Sequence, residues 1–238
     1  MAQKSLRELD EAKIRQSRPK QMTRAWNDPK GFQNLAVWQN AALLRLLIRK
    51  FTETLPKSEH RLKKQLDDAA RSVKRNIEEG WKRPTTSEYL QFAGYSQASL
   101  EEVKGDIRDC RSDGFIKSVP GNSLIKIGID LGIFKGRFKG EKLRDDKGEN
   151  LRENISLYQP LTSLIVKGEP DEPSHPYCKP LKTLNPFFLS YEIFLELINK
   201  TDYLLRKLVG SLEEKLVDEK RGYEIARAKI RDRLNWRR

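Results

Sequence analysis

Apolar residues recur at helical spacing in four separate stretches of this chain. Leu62, Leu66, Ala69, Val73 and Ile77 fall on one stripe of a helix that turns about 100° per residue, the mark of a face packed on a core. Ser58 is placed as the N-cap of this helix, which is expected to run to about Trp81 and to stop at Gly80 and Pro84. Ahead of it, Phe32 to Thr54 keeps the same period through Leu35, Trp38, Ala42, Leu46 and Phe51. Leu55-Pro56 closes that stretch, since a residue before proline is driven out of the α region. Behind it, Thr85-Thr-Ser-Glu88 has the form of a capping box opening a third helix. Leu90, Ala93, Gln97, Leu100, Val103, Ile107 and Cys110 supply its stripe, Gly114 its C-cap, and the small residues Ala93, Gly94, Ala98 and Ser99 a place for close approach by a neighbour. The fourth pattern runs from Phe187 to Leu216 through Tyr191, Phe194, Leu197, Ile198, Thr201, Leu204, Leu205, Leu208 and Leu212. Four helices with short loops and one long connection predict a mainly α chain, an antiparallel four-helix bundle with an insertion between its third and fourth helices.

The bundle is assigned to residues 32–116 and 187–217, leaving three further segments. Residues 117–186 form the insertion. Ile125, Ile127, Ile129, Leu131 and Ile133 alternate there with Lys126, Gly128, Asp130 and Gly132, a strand-like period of two. Pro160, Pro170, Pro173, Pro176, Pro180 and Pro186 then exclude long helices and favour an extended connection. The insertion is thus either a small β-containing subdomain or a functional or disordered loop. Residues 1–31 read as a basic, mobile arm, and residues 218–238 as a basic helical extension with a narrow seam of Ile225, Ala226, Lys229, Ile230 and Leu234.

Charge turns this architecture toward a partner. Lysine and arginine number 47 against 34 aspartates and glutamates, a net +13 that favours a polyanion. Lys64, Arg71, Arg75 and Lys82 are spaced by seven, four and seven residues, so they line up along the outer side of the second helix as a basic ridge. Asp67, Asp68, Glu78 and Glu79 flank it, the composition of an ordinary solvated face as well. The end of the chain adds Arg227, Lys229, Arg231, Arg233, Arg237 and Arg238, with Tyr223 and Trp236 interleaved, a chemistry suited to phosphates and to base stacking. Nucleic acid is the expected polyanion, because phosphates bound by Lys and Arg release condensed counterions. A membrane is not expected: the longest apolar run, Ala41 to Ile48, is broken by Arg45 and falls short of the ~20 residues a span requires. The first thirty residues hold no apolar h-region, and two cysteines, Cys110 and Cys178, fit a reducing compartment, so the expected location is cytoplasmic.

Candidates for chemistry are few. The chain has two histidines, His60 and His175, and His175-Pro-Tyr-Cys178 has no further ligand pair at zinc spacing. No Gly-rich phosphate loop or nucleophile elbow occurs. The acid pairs Glu78-Glu79 and Glu101-Glu102 diverge by about 100° on a helix, so neither converges on one ion. The expectation is a protein without cofactor, metal or catalytic residue. A protein-docking scaffold is the alternative function, and a metal-dependent nuclease a third.

Leu35-Ala-Val-Trp38-Gln-Asn-Ala41, the turn Asn76-Ile-Glu-Glu79-Gly80-Trp-Lys-Arg83, and Ser87-Glu-Tyr89 followed by Ala98-Ser99-Leu100-Glu-Glu102 resemble the four-helix bundle family of proteins encoded in intervening sequences of bacterial 23S ribosomal RNA. The likeness covers roughly residues 32 to 115 and a helix after 187. That family is similar to the accessory protein of diversity-generating retroelements, which works beside a reverse transcriptase and its template RNA. The resemblance implies a ring-shaped homo-oligomer, typically a pentamer, with a basic surface that holds nucleic acid, including Arg83 at the end of the ridge. It marks Trp38, Asn76, Glu79, Gly80, Ser99 and Glu102 as signature positions. Asn76, Glu79 and Arg83 are expected to tie the end of the second helix to Ser99 and Glu102, with Gly80 permitting the turn. The basic arm, the insertion and the C-terminal extension depart from the family's short pattern.

Overall fold

The structure, a computed structural model, describes residues 28–131 and 168–235. The expectations for residues 1–27 of the N-terminal arm, for Gly132 and Ile133 and for Pro160 lie outside those residues. The fold is mainly helical, with no strand among the described residues. Its α-helices are α1 (Ala36–Thr52), α2 (His60–Lys82), α3 (Thr86–Ser112), α4 (Cys178–Thr183) and α5 (Tyr191–Asn235). Among the long helices, α1 packs on α2 and α5, and α3 packs on the same two from the other side.

Their sequences explain these positions. α1 is apolar over most of its circumference, and a helix of that kind must be covered on more than one side. Accordingly Trp38, Ala41, Leu43, Leu44, Leu47 and Ile48 are all fully buried. α2 buries the stripe read from its sequence, with Leu66, Ala69, Val73 and Ile77 inward. The capping box at Thr85 forms as expected: Glu88 N donates to Thr85 Oγ1 at 3.1 Å, and Thr85 N donates back to the Glu88 carboxylate at 3.3 Å. α3 ends in a Schellman turn, with Gly114 at φ 80° and the amides of Gly114 and Phe115 reaching the carbonyls of Arg111 and Cys110.

Several expectations are corrected. Ser58 does not cap α2. It lies in a single 3₁₀ turn, Lys57–Glu59, and its hydroxyl donates to the Glu59 carboxylate instead. The alternating residues after Leu124 are not a strand: Leu124–Ile127 is a 3₁₀ turn closed by Gly128 at φ 79°. That turn leaves Ile125 66% exposed while Leu124, Ile129 and Leu131 face the core, so the period of two reflects a turn and not a pleat. The proline-rich return of the insertion is not extended either. It folds as turns around α4 and seats Tyr177, Cys178 and Leu181 in the core. Gly94 and Ala98 are exposed, and no described atom lies within 4 Å of where a Cβ on Gly94 would stand, so no helix among the described residues packs there.

The largest correction concerns the end of the chain. No boundary separates the expected fourth helix from the extension, because α5 continues for 45 residues through Gly210 and Gly222. Its buried stripe stops at Leu212, and Thr86 Oγ1 donating to Glu219 at 2.7 Å is its last described tie to α3. Beyond Glu219 nearly every described side chain is exposed.

Candidate nucleic-acid interface

α2 carries charge on two faces. On the inner flank, Lys74 and Glu78 are buried and pair at 3.3 Å. Trp38 of α1 donates its indole N–H to the same Glu78 oxygen at 3.0 Å, and the Lys74 ammonium sits 5.3 Å from the centre of the Trp38 ring. Lys74 also pairs with Glu169, which the return limb of the insertion supplies. Next to Trp38 in α1, Gln39 Nε2 donates to Gly168 O, and its side-chain oxygen lies 3.2 Å from His175 Nε2. His175 Nδ1 accepts from the Tyr177 amide, so the ring is neutral with its proton on Nε2. Burial holds its pKa below the ordinary histidine value, against the nearby Glu172 and Asp171 carboxylates. Trp38 thus orients a buried carboxylate. Lys74 and Glu78 were invisible as a pair in the sequence, where Glu78 looked like a flank of the ridge; their i,i+4 spacing beside an apolar stripe was the available signal.

The outer face holds the ridge. Lys64, Arg71, Arg75 and Lys82 are all exposed. Arg71 and Arg75 line an open groove of about 380 Å³ with Asp68, Ser72, Asn76 and Glu79, so the two acids that share the stripe share the groove as well. Lys64 and Lys82 extend the same stripe by two turns in either direction. Arg75 reaches Glu78 at 3.1 Å, which links the ridge to the buried cluster. Aromatic rings border the far end: Lys82 lies over Phe32 at 5.9 Å, and Arg83 stacks on Phe92 at 4.4 Å, whose ring meets Tyr95 edge-on.

No hydrogen bond or ion pair joins Asn76, Glu79 or Arg83 to Ser99 or Glu102 among the described residues, so the expected tie between the helices is corrected. Gly80 serves packing and not a turn. It lies inside α2, and a Cβ there would stand 2.4 Å from the Tyr89 ring. At the chain's end Arg227, Lys229 and Arg231 are exposed along the overhang of α5. The side chain of Arg233, together with Arg237 and Arg238, lies outside the described residues.

Groups suited to catalysis do not gather at this face. Burial, reinforced by Asp106, Asp113 and Asp109, pushes the Cys110 thiol up to about 12, so it stays protonated. No cluster of His, Cys, Asp and Glu able to hold a metal occurs among the described residues, and no helix there is long and apolar enough to cross a membrane.

One part of the chain is similar to a known family. Residues 33–130, which span α1, α2, α3 and the turns that follow, match the family model described as 23S rRNA-intervening sequence protein. No curated protein and no solved structure matches the chain.

Proposed function

We propose that the chain, whose residues 33–130 match the model of the 23S rRNA-intervening sequence protein family, is an RNA-binding accessory protein without catalytic activity. Its body is an antiparallel four-helix bundle of α1, α2, α3 and α5. The observation that carries the reading is the exposed line of Lys64, Arg71, Arg75 and Lys82 along α2, bordered by Arg83 and its aromatic neighbours, on a chain of net +13. Ammonium and guanidinium groups held on a rigid helix contact backbone phosphates, so binding is salt-sensitive and weakly sequence-selective. The likeness to accessory proteins of diversity-generating retroelements supports a homo-oligomer, a pentamer in its simplest form, and a reverse transcriptase as the enzyme it serves. The cytoplasm is the compartment in which such a complex works.

Replacing Lys64, Arg71 and Lys82 by Glu, with Arg75→Gln to spare Glu78 a like charge, tests the ridge. Fluorescence anisotropy with a labelled RNA is expected to show binding lost, with the thermal unfolding of the protein unchanged. Each phosphate contact removed lowers the slope of log K against log salt by about 0.7 to 0.9. Unchanged affinity in a folded variant removes the ridge from the reading.

The scaffold reading has one observation in its favour. The overhang of α5 leaves Val217, Tyr223 and Ile225 half or more exposed, a surface suited to a protein companion. A companion that stays bound after nuclease treatment, on protein purified from its own host, would establish that role.

A further inference from the structure

Away from the ridge, two turns are stitched side by side and hold aromatic rings in solvent. The first is the 3₁₀ turn Pro186–Phe188. Asn185 caps it through Oδ1, which accepts from the Phe187 amide at 3.0 Å, and proline at its first position fixes the backbone. Leu189 and Ser190 anchor it from behind, both buried. The second is the turn Leu124–Ile127. Asn122 donates to Ser190 Oγ at 3.1 Å, and the Leu124 amide donates to Glu196 of α5 at 2.8 Å. With both turns so fixed, Phe187 stands 81% exposed and Phe188 66% exposed.

Phenyl rings left in water on a rigid mount forgo the burial that would stabilise the fold. Phe188 joins Ile127, Pro180 and Leu184 in an open groove that no carboxylate lines. Lys126 lines it too, and Lys179 and Lys182 stand exposed on α4, whose Pro180 and Thr183 form its wall. None of these three lysines has a carboxylate partner among the described residues. Nearby acids are engaged elsewhere: Glu192 with Ser118 and the Val119 amide, Glu196 with Lys200 and the Leu124 amide.

We infer that Phe187 and Phe188, with Lys126, Lys179 and Lys182, form a stacking platform for the unpaired bases of a single-stranded polynucleotide. The occupant follows from the chemistry: flat aromatic faces accept any base, and unpaired ammonium groups around the groove, Lys126 lining it and Lys179 and Lys182 on the helix that walls it, take the phosphates between bases. A duplex keeps its bases stacked on one another and offers the rings nothing, so the platform selects for single strands. This rests on the nucleic-acid reading above and adds to it, since the ridge holds phosphates of either form.

The test compares a labelled single-stranded RNA with an RNA duplex of equal length, bound to the full chain at one salt concentration. Phe187→Ala/Phe188→Ala is expected to weaken single-strand binding about tenfold to a hundredfold and to leave duplex binding within twofold. Phe187→Tyr/Phe188→Tyr keeps the rings and is expected to retain both affinities. Equal losses on both RNAs, or none, overturn the platform. A change in oligomeric state with no change in RNA affinity also overturns it and makes a second copy the occupant. Failure of the ridge is distinguishable, because the ridge variant loses duplex and single strand alike.

Discussion

Lys74 and Arg75 are neighbours in the chain, yet Lys74 is 5% exposed and the side chain of Arg75 is 56% exposed. A single step around α2 separates a cation inside the protein from a cation in water. The inner one is balanced by two carboxylates, Glu78 and Glu169, and covered by the Trp38 ring. It has lost its hydration and depends on those partners. The outer one keeps most of its hydration and gains little from its pair with Glu78, so removing it costs the fold little. Net charge alone does not distinguish these roles; burial does, and only cations of the second kind are open to a polyanion.

Breaking the inner cluster gives the largest expected effect. Glu78→Ala leaves Lys74 with Glu169 alone and the Trp38 indole N–H without its acceptor. Removing one member of a buried, hydrogen-bonded pair costs about 3–5 kcal/mol. Urea unfolding should show a loss of that order, while the folded fraction should bind RNA as before. A loss no larger than that of an exposed pair would mean that Lys74 finds water, and the contrast between the faces would vanish.

A second change acts on packing instead of charge. Gly80→Ala places a methyl against the Tyr89 ring, whose side chain is fully buried and has little room to retreat. Overpacking of this kind costs about 1–3 kcal/mol. The expected signature is a lower urea midpoint with an unchanged m-value, since the position and not the extent of burial is altered. If the Tyr89 ring could give way, alanine, the better helix former, would leave the midpoint unchanged or raise it.

Gly80 also shows what sequence could and could not convey. A glycine before Pro84 reads naturally as a helix end, because backbone freedom is glycine's commonest use. Its use here is the space a ring from α3 occupies, which depends on a contact nine residues away. The same limit explains Glu78, whose partner Trp38 lies in another helix. Stripes of α1, α2 and α3 and the cap at Thr85 were legible because each is a local pattern that packing did not override. Leu124 to Leu131 misled, since a turn closed by Gly128 can also alternate apolar and polar residues. The continuity of α5 across residues 217 and 218 was missed, although Gly210 and Gly222 are isolated glycines that cost a helix only about 1 kcal/mol each and flanking residues outweigh them. The ridge was legible as exposed positions. The platform at Phe187 and Phe188 was not, because both residues read as the start of an apolar stripe.

The smallest expected effect concerns a third way in which α2 meets charge. Gln65 of α2 donates to Asp106 Oδ1 at 2.9 Å, while Asp106 Oδ2 is buried without a hydrogen bond. Burial, with Glu102 and Asp109 adding repulsion, raises this carboxyl above the ordinary carboxylate pKa, and Gln65 only partly offsets it. A folded-state pKa above the unfolded one means that the neutral acid is the form the fold prefers. Its contribution is therefore present below the ordinary carboxylate pKa of about 4 and is lost as pH rises through the raised value. Asp106→Asn keeps the acceptor for Gln65 and turns the unpaired oxygen into an N–H₂ facing those two carboxylates. The variant should match the parent at pH 4 and exceed it at pH 7 by on the order of 1 kcal/mol in urea unfolding. A gap of the same size at both pH values would trace the gain to packing. No gap at pH 7 would mean that water reaches Oδ2, which would place Asp106 with Arg75 among the hydrated charges and not with Lys74.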